Sequence, residues 1–579
     1  MRIRLVLALW FFALAHASAE LLLGKPMWGF DGTVVDEAFN ILTIEMRNTG
    51  AQPFDGMLTL EEGGDFGGGS TAPYQTHVFL APGATRAVQF YPFISGAQFG
   101  WQISWSAQGG GKVELEQMRR GDPATVIFMD PDAPGARALR LFGFNEANFP
   151  PTVSATDALY AVVLDHQPRW DPPRREAFLQ WLHRGGILHL IPDARGALPE
   201  FTAELAVINS ANAKHTVGSG LVVKHAFERG EVTQEALAAA GYPAFGPIKK
   251  ETDNYEHTDR SFFRRMSAAT KPNIDWSLIY FLTFAYIALI GPAFYFQRKR
   301  DYRIVLGAFL LTVALFTWIF TAVGRRGYGE KQLYHAIGLA RSVGDGKWDV
   351  RQWVHPFAIS GDRYRLQFPG SGQLYGVTDQ GDTVRGTVVQ GKDGYFEADI
   401  PLFSSRPFIH QGVIPETSSV MTLTEVEEQS GKLRLFKVTP SAEFNREVIS
   451  VVAQYGSQFY VLHREGEPLN AEHWAIKSSN GTDFKQAFQT GEIYPHYRYG
   501  QEDPESASRH LQRGHGLLAR MISTGSSEIL HPFSRPLRAG QCRVFTYTSK
   551  PSTFDLTGDQ FQSGIGYVLF VQDFALPSL

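Results

Sequence analysis

Two stretches of the chain, Trp276–Phe296 and Ile304–Val323, contain no Asp, Glu, Lys, Arg or His. At 1.5 Å rise per residue, about 20 residues match the ~30 Å hydrocarbon core of a bilayer. Helices in a soluble core rarely lack every charge over that length, so both stretches are expected to span a membrane. Between them lies Gln297-Arg298-Lys299-Arg300-Asp301-Tyr302-Arg303, too short for a domain. Its four basic residues, Arg298, Lys299, Arg300 and Arg303, favour the cytoplasmic side. Arg325, Arg326 and Lys331 after the second stretch dilute this bias without reversing it. Trp276, Tyr280, Tyr295 and Trp318 lie near helix ends, where amphipathic rings favour the interface. With no charged or His side chain in either stretch, a proton or ion path is not expected.

The N-terminus agrees with that topology. Arg2 and Arg4 precede an apolar run, Leu5–Leu14, and Ala17-Ser18-Ala19 offers small residues for signal-peptide cleavage before Glu20. Residues 1–19 are then a leader. The first span returns the chain to the cytoplasm at 297–303, and the second leads out again. Residues 20–275 and 324–579 are expected on the same outer side of a bacterial inner membrane, in the periplasm. The lone cysteine, Cys542, excludes an intramolecular disulfide and any multi-cysteine metal site. With 54 Lys and Arg against 58 Asp and Glu, the chain gives no electrostatic reason to bind nucleic acid.

The exported parts divide into three by pattern. In residues 20–120, short alternating runs such as Phe39–Arg47 are separated by turns such as Asn48-Thr49-Gly50 and Ala81-Pro82-Gly83. Regular spacing of this kind predicts an immunoglobulin-like β-sandwich, without the Cys–Trp–Cys spacing of antibody domains. Residues 122–250 change character. Apolar strands are expected at Ala124–Met129, Leu159–Leu164 and Ile187–Ile191, with an amphipathic helix at Arg174–Arg184 closed by Gly185-Gly186. Strand, helix and strand in that order predict a parallel α/β unit. Residues 324–579 are expected to be mostly β, as one large or two small domains, with a helix at Ser506–Ser523.

The segment YAVVLD…REAFLQWLHRGGILHLI resembles the class I glutamine amidotransferase-like domains of membrane-anchored bacterial envelope proteins. The resemblance covers about 130 residues and implies a flavodoxin-like α/β fold. It fails for the activity, because that family's cysteine nucleophile has no counterpart between residues 20 and 541. The expected fold class is a multidomain membrane protein: an Ig-like β-sandwich, an inactive amidotransferase-like α/β domain, two transmembrane helices and a C-terminal mostly-β region. Proteins with this layout are often encoded beside MoxR-type ATPases and von Willebrand A-domain proteins, which implies envelope protein partners besides the lipid bilayer.

Candidate chemistry is sparse. Ligands on parallel sheets bind beyond the carboxyl ends of the strands, where Asp130, Asp132, Asp165 and His166 are expected. They could face a cation or polar ligand, or be solvated loop residues that cap helices. A GxSxG elbow is absent from this domain, and HExxH is absent from the chain. The Gly63–Ser70 loop lacks the Lys-Ser/Thr of a phosphate loop. Aromatics at Tyr494–Tyr499 could stack on a sugar or peptide, or pack in the core. No catalytic residue, cofactor or metal site is expected. Three functions remain open: a non-enzymatic adaptor or scaffold in a membrane complex, a periplasmic sensor of a glycan or peptide, and a hydrolase or transferase beyond motif detection.

Overall fold

A computed structural model describes residues 21–576, apart from 37, 64–71, 95–99, 108–109, 130–141, 194, 243–254, 271–275, 298, 329–330, 368–371, 377–385, 392–393, 466–472, 489–503, 521–536, 538–539 and 557–559. The expected leader, Asp130, Asp132, Arg298, Tyr494–Tyr499 and nearly all of the Gly63–Ser70 loop therefore lie outside the described residues. The chain is mostly β-sheet, with a few helices and two long apolar ones.

The N-terminal strands form two antiparallel sheets that share a core. In the first, Leu42–Asn48 pairs with Leu21–Leu23, Met27–Trp28 and Thr85–Phe90. The second runs Gly111–Glu114, Gly100–Trp105, Phe54–Gly63, Tyr74–Leu80. Alternation explains the packing: Ile44 and Met46 point inward while Glu45 and Arg47 point out. Trp28 of one sheet meets Trp101 of the other, ring centroids 6.0 Å apart. We denote Tyr74–Leu80 as β1 and Thr85–Phe90 as β2.

A six-stranded sheet follows, in the order Gly143–Asn145, Ala124–Met129, Leu159–Leu164, Ile187–Leu190, Gly220–Lys224, Lys214–Val217. All of its pairs are parallel except the last. Its centre, Leu159–Leu164 (β3), is buried along its whole length, as a continuous apolar run in a parallel sheet requires. Helix α1, Pro172–His183, crosses over from β3 to the next strand. Asp171 caps it by accepting from the Arg174 amide, and Pro172 and Pro173 suit a first turn that needs no donors. Phe178, Trp181 and Leu182 enter the core. Gly186 is required where it stands, since a Cβ there would fall 2.5 Å from the Trp181 ring.

Helix α2, Tyr255–Thr270, leads to the apolar pair. The first apolar helix runs Trp276–Ala288, widens into a π-turn at Leu289–Ala293 around Pro292, and closes with Phe294–Gln297. A proline cannot donate to the helical ladder, which accounts for the π-turn. The second, α3, spans Tyr302–Tyr328. The two touch through Tyr286–Phe316, centroids 5.0 Å apart, and Phe294–Phe309 at 5.8 Å. Many of their other large side chains point outward: Phe284 is 70% and Leu311 73% exposed. Such faces suit lipid rather than water.

The C-terminal region builds a twelve-stranded sheet. At its centre, Leu333–Ser342 (β4) pairs antiparallel with Lys347–Ala358 (β5) and parallel with Gln562–Ala575. Helix α2 packs on this sheet, placing Phe262 5.2 Å from Trp353. The helix expected at Ser506–Ser523 is interrupted. Pro504–Gln512 and His515–Arg520 are separate helices, broken at Gly514, which lies against Leu511 O and Tyr547.

Strand pairing also crosses the expected division of the chain. Gly386–Val389 (β6) pairs parallel with β1, matching Val388 to Tyr74 and Val389 to Gln75. The second N-terminal sheet thereby continues into Tyr395–Ile400 and Asp362–Gln367 as a seven-stranded sheet. The parts before and after the apolar hairpin share one sheet and one core.

Candidate functional site

Asp165 and His166 follow β3 directly, at the carboxyl end of the parallel sheet. Both are engaged by protein groups. His166 Nδ1 lies 2.6 Å from Asp165 Oδ1, and its Nε2 lies 2.7 Å from Glu146 Oε2. Arg229 closes the set, with Nε 2.7 Å from Asp165 Oδ2 and Nη2 2.9 Å from Oδ1. Burial works against a charged imidazole, but the two carboxylates outweigh it and raise the His166 pKa to about 9. His166 is thus an imidazolium whose two N–H groups donate to Asp165 and Glu146. In that state it has no lone pair for a metal or for general-base work. Among the described residues, no group of three or more His, Cys, Asp or Glu could hold a metal ion.

Glu146 and Arg229 carry no sequence signal. They stand 20 and 63 positions from His166 and belong to no motif.

Cys542 sits in a central strand of the large sheet and is fully buried. Burial pushes its thiol well above the ordinary range, with Asp573 adding to the rise and Arg543 opposing it. A thiol so placed is not a poised nucleophile.

A larger feature lies elsewhere. A cleft of about 830 Å³ opens where three parts of the chain meet. The N-terminal sheets contribute Thr76, His77, Arg86 and Gln89; the start of α1 contributes Arg174 and Glu176; the C-terminal region contributes Lys347, Gln390 and Val413. Its walls are held by cross-links. Gln390 and Tyr91 exchange hydrogen bonds of 3.2 Å in both directions, backbone to amide. The Tyr91 hydroxyl donates to Gln89 Oε1 at 3.0 Å, and Gln89 reaches Asn148 O at 2.6 Å. Arg174 Nε donates to Phe149 O at 2.7 Å, and Lys347 pairs with Glu176.

The backbone at the cleft is unusual. Among the described residues, β2 pairs with Leu42–Asn48 alone. The pairing of β1 with β6 stops at Gln75, so Thr76–Val78 run past it into the cleft wall. Two strand edges therefore border the same cavity. Edges of this kind accept added strands.

Below the cleft, a polar interface joins the parallel-sheet unit to the large sheet. Arg184 Nη2 is 2.7 Å from Asp157 Oδ1, and its Nε is 3.0 Å from Asp349 Oδ2. All three side chains are buried. Gln411 adds a 3.3 Å contact to Asp157. Further along, Ser219 donates to Asp573 at 3.0 Å, and Arg543 grips the same carboxylate through Nε and Nη2 at 2.7 and 2.9 Å. His183 reaches Val343 O.

No family model matches the chain, and no curated protein matches it. Among solved structures, a β-glucosidase involved in saponin metabolism from intestinal bacteria is 14% identical over 17% of this chain and only 16% of its own length, at a TM-score of 0.12. A cycloisomaltooligosaccharide glucanotransferase from Paenibacillus sp. aligns with 78% of this chain and 98% of its own, at 9% identity and a TM-score of 0.14. Similarity at that level carries no argument about fold or activity.

Proposed function

We propose that this chain is a non-enzymatic adaptor of the bacterial inner membrane, which holds an extended segment of an envelope partner in the cleft beside β2. The observation that carries this reading is the meeting, in one cavity built by all three exported parts, of two strand edges that pair with no further strand among the described residues. An extended peptide adding to β2 would gain main-chain hydrogen bonds, while the exposed Arg86 meets its side chains. The contacts that join residues before and after the hairpin support a topology with both on one side, and the basic residues at 297–303 support the periplasm as that side. The sandwich and parallel-sheet units fit Ig-like and inactive amidotransferase-like domains. A von Willebrand A-domain protein is the partner class to seek first, since the resemblance implies such neighbours.

The test is a photo-crosslinking amino acid in place of Arg86, with Glu114 on a distant strand as control, in the full-length protein in native membranes. A repeated adduct to one segment of one envelope protein, absent from the Glu114 position, is the expected result. Adducts to glycan alone would move the reading to a sensor, and no site-specific adduct would defeat both.

A further inference from the structure

The centre of the large sheet holds two histidines where apolar side chains would pack at no polar cost. His335 on β4 and His355 on β5 stand directly opposite each other in register, so their side chains share one face of the sheet. Both are shut away from water: His335 is 3% and His355 0% exposed. His335 Nδ1 accepts from the Ile565 amide at 2.8 Å, which leaves its proton on Nε2. Apart from the pull of its own carbonyl on His355, neither that Nε2 nor either ring nitrogen of His355 has a hydrogen-bond partner among the described residues. Native interiors rarely leave so many polar atoms unanswered in one place. Packing around them is tight, since a Cβ on Gly564 would fall 2.7 Å from the His335 ring.

The cover over this face is helix α2. His355 lies two residues beyond Trp353 on the same strand, hence on the same face, and Trp353 meets Phe262 of α2 at 5.2 Å. Helix α2 ends at Thr270, and the first apolar helix begins at Trp276. Strand β4 begins at Leu333, soon after α3 ends at Tyr328. The histidine pair therefore sits between the helix that leads into the apolar hairpin and the strand that leads out of it.

No opposite charge answers the two rings. Among the described residues, the elements packed on this face bring Arg265 on α2, His515 at the start of His515–Arg520, and Tyr547 on Gln541–Ser549. Tyr547 is spent on Leu511 O, to which its hydroxyl donates at 2.7 Å. Farther along β5, Arg351 and Asp349 are buried on the same face, and Asp349 is held by Arg184. The one charged influence on His355 is His335 itself. Burial lowers the pKa of His335 from 6.5 to about 4, and burial together with His335 lowers that of His355 to about 3.

We propose that His335 and His355 make the seat of α2 acid-sensitive: the helix rests on the sheet while both rings are neutral, and it lifts as both take up protons, loosening the body from the first apolar helix. Two imidazolium rings opposite each other repel, and no carboxylate is at hand to pair with them. Opening gives each ring water and its ordinary pKa of 6.5, so the open state binds two protons that the closed state refuses. Stability of the seat is full above pH 6.5 and falls as pH drops below it.

Hydrogen exchange of full-length protein in detergent, read by mass spectrometry and corrected for the intrinsic pH dependence of exchange, tests this. Protection of residues 262–270 in α2 is expected to fall about 50-fold between pH 6 and pH 5, the effect of two such histidines. Protection of β3, in the parallel sheet, is expected to change less than threefold. His355→Leu is expected to reduce the fall in α2 to about sevenfold, and His335→Gln with His355→Leu to abolish it. A fall of less than threefold in wild-type α2 overturns the proposal. An equal fall in α2 and β3 overturns it in favour of global acid unfolding. A local fall that persists in the double variant overturns it in favour of another titrating group. The wild-type contrast between α2 and β3 decides the first two outcomes even where a variant folds poorly.

Discussion

Arg184, at the end of helix α1, is ion-paired to Asp349 on β5 at 3.0 Å, with both side chains buried and the apolar hairpin between them in sequence. A buried pair contributes little net stability relative to a well-packed apolar pair. Removing one partner is costly, because an uncompensated charge stays in the interior. Arg184→Ala is expected to destabilise the body built around the apolar hairpin by about 3–5 kcal/mol, the usual cost of breaking such a pair. Arg184→Met with Asp157→Leu and Asp349→Leu is expected to recover much of that loss. Thermal unfolding of detergent-solubilised protein followed by tryptophan fluorescence measures both.

Asp157 shares the Arg184 guanidinium and gives a pH signature. Burial raises its pKa from 3.8 to about 6, against the pull of Arg184 and with a further push from Asp349. Between those values the folded state holds a proton that the unfolded state has released. This group's contribution to stability is therefore greatest below pH 4 and is lost as pH rises toward 6. Asp157→Asn cannot titrate, so its stability relative to wild type is expected to rise across that window and level off above it. A difference that is flat from pH 4 to 6.5 would remove Asp157 as the titrating group.

His166 has the opposite placement on the pH axis. Its pKa is raised from 6.5 to about 9 once its two carboxylate bonds outweigh burial. The stabilisation is fully present below pH 6.5 and lost as pH rises to 9. The stability gap between wild type and His166→Gln is expected to shrink across pH 6.5–9. Imidazole carbon shifts in the labelled protein would report the same titration directly.

Cys542 offers a reporter of global opening. It is buried in a central strand, with its thiol pushed far above the ordinary range. A maleimide is expected to leave the folded protein unmodified at pH 7.5 and to label it fully in denaturant. Stoichiometric labelling under native conditions would place the thiol at an accessible site.

The legible part of the fold was what period and composition control. The apolar runs Ala124–Met129, Leu159–Leu164 and Ile187–Leu190 appear as parallel strands, and the Gly185-Gly186 stop closes α1. The charge-free stretches appear as two helices long and apolar enough to cross a membrane. What sequence pattern missed is non-local. Nothing in Gly386–Val389 says that it will pair with Tyr74, because a four-residue strand carries no address for its partner. Asp165 and His166 were visible as residues beyond a strand end, but not the Glu146 and Arg229 that occupy their hydrogen bonds. The cleft was invisible for the same reason, since its walls come from distant parts of the chain.

That non-local pairing makes the last prediction. Residues 20–270 expressed without the remainder would expose Phe262, Phe263 and Met266 of α2, which are buried in the common core, and would leave Arg184 without Asp349. Residues 331–576 alone would expose Trp353 and leave β6 without β1. Each half is expected to aggregate or to be cut rapidly by protease. Produced together as separate chains, the halves are expected to co-elute as a 1:1 complex on size exclusion, and Arg184→Ala is expected to weaken that association. Two halves that are each monodisperse and fail to associate would show that the strand pairing and the buried ion pair do not hold the body together. The hairpin would then be the sole link between them, and a cleft built from both halves would lose its basis.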